Sequence, residues 1–308
     1  MWTEADVPDQ TGRVAVVTGA NGGLGLELTR ALAQAGATVV MAARDQDKAR
    51  AARRQVAEAV PGAELDVREL DLASLASVRA CAAGIVEDHP ELDLLVNNAG
   101  IMAIPERETA DGFEAQLGVN HLGHFALTRL LMPALLTTPA SRVVAVTSVA
   151  RHVGRAVDPA NPHLRGRYHP WRAYGQSKLA NLHFALELHR RLEKAGAATR
   201  SLAAHPGLTH TDLQSRSVEA SQGGASQRFW QAMAHGTGMT PRQGALALLR
   251  AATDPAARGG ELYAPRWGTV GAPVRRPVVR PAGRAGATLW AISEQETKTP
   301  FAIDQLVR

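Results

Sequence analysis

Within the 308 residues, Arg13–Val14–Ala15–Val16–Val17–Thr18–Gly19–Ala20–Asn21–Gly22–Gly23–Leu24–Gly25 joins a β-branched run to a glycine cluster. An apolar period of helical type follows, with Leu24, Leu28, Ala31, Leu32 and Ala35 on one face. The order is therefore buried strand, tight turn, helix. Glycines meet three physical needs in such a turn: unusual φ/ψ, close approach of backbone to a ligand, and tight helix–strand packing. The first-turn amides of the helix lack internal partners and carry the positive end of its dipole, a ready seat for a pyrophosphate. Strand before and helix after make this turn a candidate dinucleotide site.

Beyond the turn, strand and helix patterns alternate. Ala37–Ala43, Glu64–Leu70, Leu92–Asn97, Arg142–Ser148 and Thr199–His205 read as strands. Gln46–Val60, Leu75–Glu87 and a long pattern from Asp111 to about Leu131 read as helices, with Pro133 expected to end or bend the last. Arg151–Trp171 lacks periodicity and is expected to be a long loop before a helix that reaches about Lys194. Alternation of this kind implies an α/β fold, a doubly wound parallel sheet with helices on both faces. Ligands bind such folds beyond the carboxyl ends of the strands. Thr18, Arg44, Asp71, Asn97, Ser148 and His205 all fall at or near those ends.

With no linker and no repeat in view, residues 1–308 are expected to form one domain. A mobile substrate cover is expected over about 210–240, where Phe229, Trp230 and Met233 lie among Gly, Gln and Ser. Thr240–Pro241 opens a helix by cap and proline, and Glu261–Ala264 is a candidate last strand. Residues 266–308 are expected to be an Arg/Pro-rich tail, with Arg275, Arg276, Arg280 and Arg284 solvated.

Composition narrows the function. Hydrophobic residues at 45% and charged ones at 20% fit an ordinary globular chain. The net charge of +5 is mild and concentrated in the last fifty residues, so nucleic acid is not expected as a partner. Cys81 is the only cysteine, which excludes an internal disulfide and fits a reducing compartment. No run reaches the length of a membrane span, and the expected setting is cytoplasmic. No metal site is expected: His121, His124, His183 and His189 lack carboxylate partners at ligand spacing. There is also no Gly-x-Ser-x-Gly elbow and no Walker-type Gly-Lys-Ser/Thr.

Tyr174 and Lys178 are four apart at the start of a helix and share a face. A nearby ammonium is expected to lower the phenol pKa and make tyrosine a usable acid and base near neutral pH. Thr147–Ser148 ends a strand aimed at the same crevice, where a hydroxyl can donate to a carbonyl oxygen. Asn97–Asn98–Ala99–Gly100 ends another strand, and Asn120 lies inside a helix that asparagine does not favour.

With Thr18–Gly25, Asp71–Leu72, Asn97–Gly100, the set Asn120, Ser148, Tyr174 and Lys178, and Pro206–Gly207, the chain resembles the short-chain dehydrogenase/reductase family over roughly residues 12 to 265. Val119–Phe125, Tyr174–Asn181 and Leu289–Glu294 are similar to its retinol-dehydrogenase-like branch. The resemblance implies Tyr174 as general acid/base, Ser148 orienting a carbonyl and Lys178 holding the nicotinamide ribose. It implies Asn120 keeping a water in the proton relay. It further implies a cofactor held by Gly19, Asn21, Gly23, Leu24, Gly25, Arg44, Asp71, Leu72, Asn98, Ala99, Gly100, Pro206, Gly207 and Thr209, together with Tyr174 and Lys178.

Cofactor choice turns on Ala43–Arg44–Asp45. A neutral residue followed by arginine suits a 2′-phosphate, so NADP is expected ahead of NAD, with Asp45 capping the next helix. The expected activity is NADP(H)-dependent interconversion of an alcohol and a carbonyl on a fairly apolar small molecule. Two alternatives remain: a non-catalytic NADP(H)-sensing regulator, and a sugar-nucleotide epimerase or dehydratase. Association into a homo-oligomer is left open.

Overall fold

The computed structural model describes residues 1–209, 238–279 and 282–307. At its centre stands β1 (Val14–Thr18), and the glycine turn delivers the chain into α1 (Gly23–Gln34). Then follow β2 (Thr38–Ala43), α2 (Gln46–Ala59), β3 (Leu65–Glu69), α3 (Leu75–Asp88) and β4 (Leu94–Asn97). After α4 (Ala115–Leu117) and α5 (Gly123–Leu136) come β5 (Arg142–Val146), α6 (Pro170–Lys194) and β6 (Arg200–Ala204). α7 (Pro241–Thr253), β7 (Leu262–Pro265), β8 (Pro273–Arg276), α8 (Gly283–Thr297) and α9 (Ile303–Leu306) complete the described elements.

The eight strands form one sheet in the order β3-β2-β1-β4-β5-β6-β7-β8, parallel except for the β7–β8 pair. In register, Val16 lies beside Val40 on one side and Leu95 on the other. Strand alternation feeds two cores. Val16 packs with Val78, Ile85, Phe125 and Leu179 from α3, α5 and α6. Ala15 and Val17 pack with Leu28, Leu32 and Leu248 from α1 and α7 on the opposite face. Doubly covered strands of this kind are buried throughout, hence their continuous apolar runs. The strand order reverses direction between β1 and β4, the switch point that opens a crevice at the carboxyl ends.

Several elements differ from the sequence expectation. Asp111 does not begin the long helix; its carboxylate accepts the Leu75 amide at 2.8 Å, beside the Ser74 cap of α3. Glu114 caps α4 instead, accepting from Gln116 and Leu117. α4 and α5 are joined by a π-helical turn, Gly118–Leu122. Pro133 neither ends nor breaks α5, which runs on to Leu136. So near the end of a helix, one missing amide costs only the bond to the carbonyl one turn back. α6 starts at Pro170, a turn before Tyr174, with proline in the first turn.

The expected C-terminal tail contains ordered structure: β8 pairs with β7, and Arg275 meets Glu261 at 3.0 Å. α8 buries Leu289, Trp290 and Ile292 against α5 and α6. The cover expected over 210–240 falls almost wholly on residues 210–237, outside the described residues, as does Arg280. No described helix is long and apolar enough to cross a membrane.

Candidate active site

A cavity of about 940 Å³ opens along the carboxyl ends of the strands. At one end is the glycine turn. Gly19 and Gly23 have φ of +68° and +52°, the left-handed region that glycine takes without strain. A Cβ on Gly25 would overlap the Gly19 carbonyl, so this glycine lets α1 approach β1. No side chain caps α1 at Gly22, and its first turn holds no acidic residue. The free amides therefore face the crevice undiminished, which suits a pyrophosphate.

Every cofactor residue expected from the sequence lines this cavity except Gly25, and every catalytic one except Asn120. Gly25 acts from beneath, through packing. Asn98 donates from Nδ2 to the Thr18 carbonyl at 2.8 Å, fastening the end of β4 to the end of β1. The Asp71 carboxylate accepts the Ala73 amide at 2.9 Å, which shapes its loop, and the residue also faces the cavity. Gly207 has φ of +76° and a Cβ there would overlap the Thr269 carbonyl. Arg44 is exposed at the end of β2. Asp45 caps α2 by accepting the Lys48 amide at 3.0 Å, the role its position suggested.

Lys48 also lines the cavity, a residue the sequence reading missed. It sits one turn into α2, paired with Asp45 at 3.4 Å. A cation at helix position three after an Asp cap was the available signal. Met102 and Val149 are likewise lining residues not foreseen.

At the other end stand Ser148, Tyr174 and Lys178. Ser148 lies two residues beyond the end of β5, and its hydroxyl is hydrogen-bonded to that of Tyr174. Lys178 lies 5.8 Å from the centre of the Tyr174 ring and donates to the Val146 carbonyl at 3.2 Å. Thr147 locks α6 to β5 by donating to the Lys178 carbonyl at 2.6 Å. Asn120, fully buried in the π-helical turn, accepts the Ile101 amide at 2.8 Å. Its amide donates to the Ile101 carbonyl and to Ser177, each at 2.9 Å. The side chain is thus a brace within the floor of the crevice. Single π turns of this type often occur at functional sites.

The electrostatics differ from the sequence expectation. Burial pushes the Tyr174 phenol up to about 12, against a lowering pull from the Ser148 hydroxyl. Burial also pushes Lys178 down to about 8. The spacing of four put the two groups on one face, as expected, but desolvation outweighs the attraction between ammonium and phenolate. His121 and His124 are buried neutral bases, held to Ser293 and Thr18 respectively. Among the described residues no cluster of metal-binding side chains occurs.

These features agree with the comparisons to known proteins. The profile of the family described as short chain dehydrogenase matches residues 13–222. Retinol dehydrogenase 11 of Mus musculus is 45% identical over 202 residues, 66% of this chain and 63% of that protein. The chain thus spans less than two thirds of that relative's length. Polyprenol dehydrogenase of Mus musculus is 42% identical over 259 residues, 82% of this chain and 75% of the relative. A crystal structure of an uncharacterized protein from Mycobacterium paratuberculosis superposes with a TM-score of 0.80 at 45% identity, covering 97% of this chain and 98% of that one. A glycine turn and a Ser–Tyr–Lys set at the two ends of one crevice, with these relatives, mean that the chain belongs to the short-chain dehydrogenase/reductase family, in its retinol-dehydrogenase-like branch.

Proposed function

We propose that the protein interconverts an alcohol and a carbonyl on a fairly apolar small molecule, with NADP(H) as cofactor and Tyr174 as general acid/base. The observation that carries this reading is the single cavity with Gly19–Gly23 at one end and Ser148, Tyr174 and Lys178 at the other. The glycine turn and the bare first turn of α1 suit the pyrophosphate, and Lys178 suits the nicotinamide ribose. Arg44 and Lys48 suit a 2′-phosphate, since both are cations at the mouth beside the end of β2. When bound, the cofactor supplies or accepts the hydride and, in its oxidised form, adds a positive charge.

The protein's own groups handle the oxygen and its proton. The Ser148 and Tyr174 hydroxyls donate to the substrate carbonyl, polarising it. In reduction the Tyr174 proton passes to that oxygen, and the high phenol pKa ensures that the proton is present at neutral pH. In oxidation the phenolate receives the alcohol proton, so the oxidative rate rises with pH. Lys178 stabilises that phenolate when charged, and Asn120 holds the floor that keeps both side chains in place. Together with a bound water, Asn120 serves the relay.

Met102, Val149, Val153 and Trp171 give the wall an apolar character. That suits long apolar alcohols, the class named by both retinol and polyprenol dehydrogenases. Buried Cys81 fits a reducing setting such as the cytoplasm. The test is turnover of retinal, a polyprenal and short aldehydes and ketones, followed by loss of NADPH and of NADH absorbance. The reading predicts NADPH consumption with the apolar aldehydes. Tight NADPH binding with no turnover of any carbonyl or alcohol would favour the non-catalytic regulator instead.

A further inference from the structure

Between the two ends of the crevice runs a buried chain of hydrogen bonds that passes through His124. Thr18 Oγ1 accepts the amides of Asn98 and Ala99, each at 2.9 Å. A hydroxyl has two acceptor sites and one proton, so both lone pairs are taken and the proton is left to give. Its partners are His124 Nε2 at 2.9 Å and the Val96 carbonyl at a longer 3.4 Å. The other ring nitrogen, Nδ1, is 3.0 Å from the Asn120 carbonyl, which only accepts. The proton of the imidazole must therefore sit on Nδ1, leaving Nε2 to accept. Burial pushes the His124 pKa down to about 4, which keeps the ring neutral.

From Asn120 the chain continues. Its amide donates to Ser177, and Ser177 donates to the Tyr174 carbonyl at 2.8 Å. A Cβ placed on Gly100 would come within 2.9 Å of Asn120 Oδ1 and 3.4 Å of Lys178 Nζ, so the brace lies directly under the catalytic lysine. The links thus run from the glycine turn, through the end of β4, to the backbone of the proposed acid.

We propose that His124 is a positioning residue, a neutral Nδ1–H imidazole that holds the cofactor-binding floor at Asn98–Ala99 in register with the Asn120–Tyr174 half of the site. It touches neither substrate nor cofactor. It acts through Thr18 on one side and Asn120 on the other. The proposal rests on the reading of this crevice as a cofactor site.

The two links can be cut separately. In His124→Gln the side-chain carbonyl reaches the place of Nε2 and keeps an acceptor for Thr18. In His124→Asn the amide takes the place of Nδ1 and keeps a donor for Asn120. NADPH and NADH titrations of the wild type and both variants, with urea midpoints, separate positioning from stability. His124→Gln frees the Asn120 side, so it should bind cofactor within about threefold of wild type but reduce an aldehyde about tenfold more slowly. His124→Asn should lose about tenfold, the scale of one buried hydrogen bond, although both variants lose similar stability. ¹⁵N spectra of labelled wild-type protein should show His124 protonated on Nδ1. An Nε2–H tautomer would overturn the proposal, as would cofactor affinities that are equal in the two variants. Failure of the wild type to bind either cofactor would instead sink the reading of the site, and the tautomer spectrum would still decide the ring's role.

Discussion

Arg44 has no ion-pair partner among the described residues, while Lys48 one turn away shares Asp45. An unpaired guanidinium at a cavity mouth can give its full fork to a phosphate, whereas the lysine has a competitor. Arg44→Ala should therefore weaken NADPH binding more than NADH binding by roughly 1.5–3 kcal/mol, as for a hydrogen bond to a charged group. Titrating both cofactors by fluorescence checks this, and equal losses would remove the basis for NADP preference. Tyr174 and Lys178 illustrate what a sequence conveys at this scale. Their spacing reveals a common helix face, because helical geometry is local. Their burial depends on β5, the π turn at Gly118–Leu122 and the 151–169 loop packed around them. The direction of the phenol's shift was therefore not legible from the two residues alone.

At the scale of elements, the glycine turn was legible because Gly19 and Gly23 take the left-handed φ and Gly25 leaves room for the Gly19 carbonyl. Gly25→Ala would drive a methyl into the Gly19 carbonyl and force α1 away from β1. Cofactor affinity should fall at least tenfold, together with a lower urea midpoint, as expected for overpacking of about 1–3 kcal/mol. Unchanged affinity in a folded variant would mean that the turn does not carry the pyrophosphate. The π turn at Gly118–Leu122 left no mark in the periodicity, since it shifts the helical face by one residue within a uniformly buried rod.

α8 was hidden for a different reason. Its buried face includes Gly286, Ser293 and Thr297 beside Leu289, Trp290 and Ile292, which blurs the apolar period. Trp290 lies 5.2 Å from Phe125 and 4.8 Å from Phe301, with the Arg191 guanidinium 4.3 Å above its ring. Trp290→Ala should cost about 3–5 kcal/mol in urea unfolding, the range for a large core aromatic. A loss below about 1 kcal/mol would show that α8 is not part of the cooperative core.

For the molecule as a whole, the parallel order of the first six strands followed from alternation, and the crevice from the rule for strand ends. β8 did not follow, since Pro273–Arg276 is short and partly exposed and gains its structure only from β7. The buried histidines set an acid limit on the fold. Burial pushes His121 down to about 3, His124 to about 4 and His205 to about 3. Their folded values lie below that of an unfolded histidine, so unfolding takes up protons as pH falls below about 6.5. Glu114, pushed up to about 7 by burial, works in the opposite direction between its two values. The net uptake is about two protons, so stability should drop by about 2–3 kcal/mol per pH unit near pH 5. Urea midpoints at pH 7 and pH 5 check the sign, and a higher midpoint at pH 5 would contradict it.

The proposed function requires one crevice both to bind NADP(H) and to move the proton through Tyr174. Tyr174→Phe removes only a hydroxyl from a buried ring and leaves the glycine turn, Arg44 and Lys178 in place. The most direct measurement is NADPH affinity and aldehyde reduction in this variant beside the wild type. Affinity is expected within about twofold of wild type and the rate lower by at least about 10²-fold, the scale of a lost general acid. Undiminished reduction in a variant that binds NADPH normally would contradict the proposed function.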